Sequence, residues 1–365
     1  MSAQARAPSA ALAVTRTVVI SPVGLDAPSS CAALRAGVSR LGEWEGLFAL
    51  PPGGPAGDEA GEPEPIVGGR VPTLAADLAG GDRLQALALA VLQRAVSECG
   101  LGRREIPRTA LLLALPAADA GVAGWGLGKT FLPDLCARAG IRDWAVTHAV
   151  QGGPVGTFRA IEGARALLAA GSADRCLVLA VDTYVDRDRL AHLDEGWRLR
   201  SQRNPDGFLP GEAACALLLE PARAAGRRQG PVLGLVEGPS FAVEKAPVGG
   251  EAWSTGRGLA EAIRPLLAGP DGAVGRWMLC NMNGEAYPAR EWALAQARLA
   301  PGLPAVETLA HPAEAIGEAG TALAGILVAC ACHAFARGVA PAPAALLWVG
   351  SDDGARAAAV LRPGA

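Results

Sequence analysis

The chain alternates between continuous apolar runs and longer segments in which apolar residues recur at helical spacing. A continuous apolar run predicts a strand covered on both faces of a sheet, and the 3.6-residue period predicts a helix. The first half gives predicted strands at Ala13–Ser21, Thr109–Leu115, Arg175–Val181 and the end of 204–220. It gives predicted helices through Cys31–Leu41, Leu84–Cys99 and Lys129–Ala139. Residues 45–83, rich in Pro, Gly and Glu, predict a long surface excursion, and 182–205 predict an irregular polar segment.

A second series of elements follows the charged, turn-rich stretch Ala222–Gly230. Its predicted strands are Val232–Glu237, Arg276–Cys280, Ala305–Leu309, Ala345–Val349 and Ala357–Leu361. Its predicted helices are Gly256–Leu267, Arg290–Leu299 and Glu318–Arg337. Because the two series run through similar orders of strands and helices, we predict two stacked α/β halves, residues 1–225 and 226–365.

The stretch from Thr147 to Gly171 is the centre of this organisation. A strand over Asp143–Thr147 leads into a turn at 151–153, and a helix of small residues begins at Pro154. Many α/β enzymes place a nucleophile at such a turn, because the helix dipole and free N–H groups stabilise negative charge. This turn carries neither Cys nor Ser at its apex.

Composition narrows the classes of function. The 365 residues have a net charge of −3 and no basic tract, so nucleic acid is not an expected partner. The eight Cys form no CxxC pair and lie mostly in apolar runs, so we expect neither a metal site nor disulfides. Thr321–Ala336 is too short to span a membrane, and the first ten residues lack an apolar core, which predicts a cytoplasmic protein. The GWGLGK stretch at 124–129 lacks phosphate-loop spacing, so no cofactor is expected.

Several segments resemble the beta-ketoacyl-ACP synthases, which are thiolase-like condensing enzymes. The opening VVISPVG at 18–24, GSADRCLVLAVD after the central helix and NMNGEAY at 281–287 occupy the places of family segments. AIGEAGTALAGI at 315–326 is similar to the GH-x-x-GAAG segment. DGFLPGEAACALLLE at 206–220 is close to the family's DGF-x-x-GEGAG-x-x-LE run and is the most specific of these pieces.

The resemblance implies a thiolase-like fold: a duplicated αβαβα layered architecture with two mixed sheets around buried helices. It also implies a dimer and acyl chains delivered on acyl carrier protein, in fatty acid or polyketide-type metabolism. Active members of the family use a Cys nucleophile and two His.

Those three positions differ in this chain. Alignment along the helix that ends at Gly171 places Pro154 at the nucleophile position. In the NMNGEAY segment Asn283 replaces the first His, and with Gly317 aligned to the family's Gly, Glu318 replaces the second. Proline also lacks the backbone N–H that the nucleophile contributes to the family's oxyanion hole, although it fits the first turn of a helix well.

An alternative alignment places Gln151 at the nucleophile position, at the cost of about three extra residues before the helix; some relatives carry Gln there. Further pocket candidates are Gly156, Phe208, Cys280 and Glu285. His148 and His311 are the histidines that we expect closest to the pocket, although each also fits a purely structural role.

We therefore expect a catalytically degenerate member of the acyltransferase-type family, a pseudoenzyme. It would act as a partner or scaffold, as a chain-length factor does beside an active ketosynthase, in a homodimer or heterodimer, or it would bind acyl chains or carrier protein. The alternative is an acyltransferase, decarboxylase or hydrolase that uses Glu318, Glu285 or a His. An open pocket with a converging His would favour the enzyme, and a filled pocket would favour the scaffold.

Overall fold

The computed structural model describes residues 11–49, 64–118, 120–226, 230–267 and 274–364. The strands of the first half are β1 (Leu12–Ile20), β2 (Leu41–Ala49), β3 (Glu64–Gly69), β4 (Thr109–Leu115), β5 (Val146–Gln151), β6 (Arg175–Thr183) and β7 (Glu212–Pro221). Its helices are α1 (Ala27–Arg35), α2 (Gly80–Glu98), α3 (Phe131–Ala139), α4 (Gly153–Ala169), α5 (Arg187–Glu195) and α6 (Ala222–Ala225).

The second half repeats this pattern in a shorter form. Its strands are β8 (Gly234–Val243), β9 (Trp277–Cys280), β10 (Thr308–Ala310), β11 (Ala345–Gly350) and β12 (Ala355–Pro363). Its helices are α7 (Arg257–Ile263), α8 (Ala286–Leu299), α9 (Ala313–Ile316) and α10 (Gly320–Ala336).

Strand order shows the duplication directly. One half of the main sheet runs β5-β4-β6-β7-β1 and the other runs β10-β9-β11-β12-β8. Equivalent neighbours also have the same orientation: β4 pairs in parallel with β5 and β6, and β9 pairs in parallel with β10 and β11. The predicted thiolase-like duplication is confirmed. The two predicted sheets are continuous, however, because β1 pairs with β8 through Leu12, Ala13 and Val14 and joins the halves into ten strands. The boundary between residues 225 and 226 stays a prediction.

The helices and the two halves of the sheet form five layers, because each strand directs alternate side chains to opposite faces of the sheet. In β4, Ala110 and Leu112 pack on the central helices α4 and α10, whereas Leu111 and Leu113 pack on the outer helices α2 and α3. The β strands of the second half likewise pack on α10 and α4 on one face and on α7 and α8 on the other. Burial on both faces explains why these strands are continuously apolar.

Four local predictions are wrong. The strand before the central turn is Val146–Gln151 and not Asp143–Thr147. Helix α1 begins at Ala27, not near Cys31, because Asp26 caps it by accepting the Ser29 N–H at 2.7 Å, and it ends at Arg35 before the left-handed Gly37. The 182–205 segment contains helix α5, whose first turn is held by the Asp186 carboxylate and the Arg189 N–H at 2.9 Å.

The predicted excursion at 45–83 is also more ordered than expected where the structure describes it. Strands β2 and β3 form a separate two-stranded sheet, and α2 already begins at Gly80. Trp44 and Ile66 from this sheet pack with Phe208 in a small core. Residues 50–63 of the excursion lie outside the described residues.

Candidate functional site

Four of the residues singled out from the sequence line one cavity of about 120 Å³ where the central helices begin. Pro154 lies in the first turn of α4, Asn283 and Glu285 lie between β9 and α8, and Glu318 precedes α10. The wall also includes the polar residues Asp182, Tyr184, Arg189, Arg198, Asn281, Tyr287, Glu291, Ser351, Asp352 and Arg356, beside apolar surface from residues such as Ala117, Val248 and Trp348. The cavity wall therefore combines apolar surface with a group of charged side chains.

The other candidates lie outside the cavity lining. Phe208 is buried beneath it, packed edge to face on Tyr184 with ring centroids 5.6 Å apart. Cys280 faces the outer helices α7 and α8, and burial raises the pKa of its thiol to about 12, so it is a packing residue rather than a thiolate. Gly156 is buried inside α4, and Gln151 is exposed at the end of β5.

The N-terminus of α4 is closed by a side chain from the other half of the protein. Ser351, which follows β11, accepts the Val155 N–H at 3.2 Å and donates its own hydroxyl to the Gly152 carbonyl at 3.0 Å. Pro154 has no N–H to offer. The serine thus takes up one of the amides that a helix leaves without a partner in its first turn.

Glu318 is the most perturbed acid of the cavity. Its Oε1 accepts the Gly320 N–H at 2.7 Å. Burial raises the pKa of the Glu318 carboxyl to about 8, and the charges of Asp352 and Glu285 add to the effect, against hydrogen bonding from Gly320 and Asn283. At neutral pH most molecules therefore carry a neutral, protonated Glu318.

The backbone of Glu318 also joins two of the motifs seen in the sequence. Its N–H donates to the Leu209 carbonyl at 2.7 Å, and its carbonyl accepts the Gly211 N–H at 2.8 Å. The 206–220 and 315–326 segments are therefore held side by side at the cavity.

A first ion pair fills the side of the cavity that carries Asn283. The Asn283 Nδ2 donates to Glu285 Oε2 at 2.9 Å, and Arg198 Nη2 donates to the same oxygen at 2.8 Å, with a second contact from Arg198 Nε to Oε1. Arg198 also reaches Asp352 at 3.2 Å. The hydrogen bond to Glu285 therefore holds the Asn283 amide within a network of charged side chains.

Two further ion pairs complete the wall. Arg189 contacts Asp182 at 2.7 Å and lies over the Tyr184 ring, with its guanidinium carbon 3.7 Å from the ring centroid. Arg356 donates from Nε to both carboxylate oxygens of Glu291, at 2.8 and 3.0 Å. All four charged side chains are nearly fully buried.

The sequence reasoning missed these arginines. Arg189 and Arg198 lie in and just after α5, within the segment predicted to be irregular, and Arg356 lies in β12. Asp182 had a usable signal, since a charged residue directly after the apolar run 176–181 must find a buried partner. No cysteine or histidine lines the cavity within the described part of the chain. His148 is exposed on β5, and His311 lies elsewhere, 3.4 Å from Glu314.

The described residues also bear on two other kinds of site. No helix there combines the length and the hydrophobicity that a bilayer-spanning segment requires. No three His, Cys, Asp or Glu side chains of the described residues are grouped so as to hold a metal ion.

The architecture defines a protein with the thiolase-like fold of ketosynthases and chain length factors. A chain from the complex of a type II polyketide synthase acyl-carrier protein with its ketosynthase bound to the hexaketide superposes with a TM-score of 0.73 at 15% identity, covering 98% of this chain and 100% of that one. The ishigamide ketosynthase/chain length factor gives a TM-score of 0.67 at 20% identity, covering 97% and 100%. The oxazolomycin ketosynthase domain OzmH KS7 of Streptomyces albus gives 0.75 at 15% identity, covering 98% and 74%. No protein-family model and no curated protein sequence matches the chain.

Proposed function

We propose that this chain is a non-condensing ketosynthase-like protein that acts as the partner of an active ketosynthase, as a chain length factor does, in polyketide or fatty acid synthesis. Similarity to solved ketosynthase and chain length factor structures over nearly the whole chain supports this role. The carrier protein in the complex of one such structure makes an acyl carrier protein a natural second partner.

The observation that carries the proposal is the state of the cavity at the α4 N-terminus. Pro154 supplies neither thiol nor N–H, Ser351 takes up the next amide, and three arginine–carboxylate pairs fill the walls. A condensing enzyme needs a nucleophile, donors for an oxyanion and room for two acyl groups. A space of about 120 Å³ that is lined by these ion pairs and offers no nucleophile does not meet these needs.

An assay of carbon–carbon bond formation tests this directly. The purified chain, incubated with acyl- and malonyl-loaded carrier protein, should give no condensation product above the level without protein. A ketosynthase with an intact Cys and two His, run on the same carrier substrates, serves as the positive control. Turnover by the purified chain comparable to that control would contradict the proposal.

The partner surface that we propose is the open edge of β5. This strand ends the ten-stranded sheet, pairs only with β4 among the described strands, and exposes Thr147, His148 and Gln151. An unpaired edge presents a row of backbone donors and acceptors that a second strand can extend. Antiparallel pairing of two such edges would produce a symmetric or pseudo-symmetric dimer.

Light scattering after size-exclusion chromatography tests this surface. The chain alone, or with a co-expressed ketosynthase, should elute as a dimer, and Thr147→Lys with His148→Lys should shift it to monomer, because charged edge strands resist pairing. Gln296→Lys with Ala297→Lys, on the exposed face of α8, is the matched control and should leave the dimer intact. A monomer in both settings, or a dimer untouched by the edge lysines, would refute this assignment.

A second candidate function is favoured by one observation, the raised pKa of Glu318. A carboxyl group that is protonated at neutral pH is suited to act as a general acid in decarboxylation or hydrolysis of a small acyl group. Malonyl-carrier decarboxylation and acyl-carrier hydrolysis should then be measured for the wild type and for Glu318→Gln. Activity that disappears in Glu318→Gln and falls as pH rises through about 8 would favour this function over the partner role.

A further inference from the structure

A second hollow lies at the other end of α10, away from the cavity described above. Its volume is about 640 Å³, and it lies between α1, the last turns of α10, and strands β9 and β10. Ligand pockets in proteins typically measure about 300–1,000 Å³. We refer to this hollow as the α1–α10 cleft.

The interior of the α1–α10 cleft is made of core side chains. Cys31, Trp277, Leu279 and Ala334 all line it and are at most 6% exposed. Because the lining residues belong to the central core, the cleft enters the protein instead of forming a flat face. This depth suits a slender apolar group more than the surface of another protein.

The walls are fixed on both sides. The loop after α1 is bonded to α9 through the Ser39 hydroxyl and the Arg40 N–H, which donate to the Ala315 carbonyl at 3.3 and 3.2 Å. On the opposite side, Trp277 packs edge to face on Phe335 with ring centroids 5.4 Å apart. The cleft is thus bounded by elements that hydrogen bonds and ring packing hold in place, which favours a ligand site that exists before binding.

The mouth carries one cation without an ion-pair partner among the described residues, Arg35 at the end of α1. Two other ionisable side chains at the mouth, His311 and Glu314, contact each other at 3.4 Å. The positive field of Arg35 also reaches His333, whose pKa is lowered by burial and by the charges of Arg337 and Arg35. A ligand that fits both regions has an apolar chain and a single anionic head.

We propose that the α1–α10 cleft binds an aliphatic carboxylic acid, with its chain among the core side chains and its carboxylate at Arg35. This site is separate from the cavity between α4 and α10, so it does not depend on the partner role proposed above.

Titration calorimetry of the full chain with octanoate tests the proposal, and 1-octanol of the same chain length is the matched ligand. Octanoate should bind with a stoichiometry of one and more tightly than 1-octanol.

Variants at the mouth test the role of charge. Arg35→Ala should weaken octanoate binding about threefold to fivefold, in the range of an exposed ion pair, while Arg35→Lys should retain most of the affinity. Glu314→Gln should strengthen it about twofold, because a like charge is removed. Arg104→Ala, on an exposed turn of the first half, should change nothing.

Ala334→Phe, which would place a ring inside the α1–α10 cleft, should abolish binding of both ligands, and Cys330→Leu is the milder second variant. Circular dichroism melting checks that each variant is folded. Lack of octanoate binding, equal binding of octanoate and 1-octanol, or undiminished octanoate binding by folded Ala334→Phe would each overturn the proposal. If Ala334→Phe does not fold, the Arg35 and Cys330 variants decide it in the same way.

Discussion

Helices α4 and α10 begin at the same cavity, but their first turns are held by different chemistry. The Val155 N–H of α4 donates to the hydroxyl of Ser351. At α10, the Thr321 N–H and hydroxyl donate to Asp182 at 2.9 and 3.0 Å, and the Gly320 N–H donates to Glu318. One helix therefore meets a neutral cap, and the other meets two acid groups.

Each half of the protein supplies the side chain that caps the central helix of the other half. Asp182 is near the end of β6 and caps the helix of the second half, whereas Ser351 directly follows β11, the equivalent strand, and caps the helix of the first half. The duplicated fold thus has a reciprocal arrangement in which the two capping side chains differ. The ionisable caps of this chain therefore lie at the start of α10 and not at the start of α4.

Among the substitutions that test this comparison, the largest loss of stability is expected at the cap of α10. Asp182→Ala should lower the free energy of unfolding by about 3–5 kcal/mol, because it leaves Arg189 buried without its counter-ion and removes two bonds to Thr321. Urea denaturation followed by circular dichroism measures this. Asp206→Ala, at an exposed carboxylate, is the control and should stay within about 0.5 kcal/mol of wild type. A loss of similar size in both variants would show that Asp182 does not hold α10.

A pH-dependent effect is expected at Glu318. Its folded pKa of about 8 lies above the ordinary glutamate pKa of 4.5, so between these pH values the folded chain keeps a proton that the unfolded chain has lost. This group's contribution to stability is therefore complete below about pH 4.5 and is lost as pH rises through about 8, at about 1 kcal/mol per pH unit within the window.

Glu318→Gln removes that slope while leaving an oxygen for the Gly320 N–H. Relative to wild type, the variant should gain stability between pH 5 and pH 8, measured by denaturation at each pH. The exposed Glu43→Gln is the matched control and should run parallel to wild type. An unchanged slope in Glu318→Gln would mean that Glu318 is ionised throughout this range.

The sequence predicted the strands and helices better than it predicted the residues of the cavity. The strand β4 was predicted with its observed bounds, because burial on both faces produces a continuous apolar run. Helix α1 and helix α5 were misplaced or missed, since their starts depend on single capping contacts by Asp26 and Asp186. Local periodicity does not carry that information.

The cavity was foreseen only in part, for a related reason. Pro154, Asn283, Glu285 and Glu318 could be placed together through the family resemblance. Arg198 could not, because its partners Glu285 and Asp352 are 87 and 154 residues away along the chain. Ion pairs between distant segments depend on the folded packing and leave no local pattern in the sequence.

Removal of the neutral cap of α4 should lower the unfolding free energy less than removal of the acid cap of α10. Ser351→Ala leaves the Val155 N–H and the Gly152 carbonyl without their hydroxyl partner and should cost about 1–2 kcal/mol of unfolding free energy. The exposed Ser172→Ala is the control and should be nearly neutral. A loss from Ser351→Ala that matched that of Asp182→Ala would remove the distinction between the two caps.

The smallest change in stability is expected at Pro154 itself. Pro154→Ala returns an N–H to the first turn of α4 and gives up a residue that favours the start of a helix, so it should cost no more than about 1 kcal/mol. Pro154→Gly should cost more, because glycine gives the unfolded chain additional freedom. Pro154→Cys introduces both a thiol and an N–H, yet Asn283 and Glu318 still stand where the resemblance requires histidines. We expect its thiol to react with iodoacetamide while the carrier-protein assay stays at background, and condensation by this variant would show that a thiol at this position is sufficient for activity.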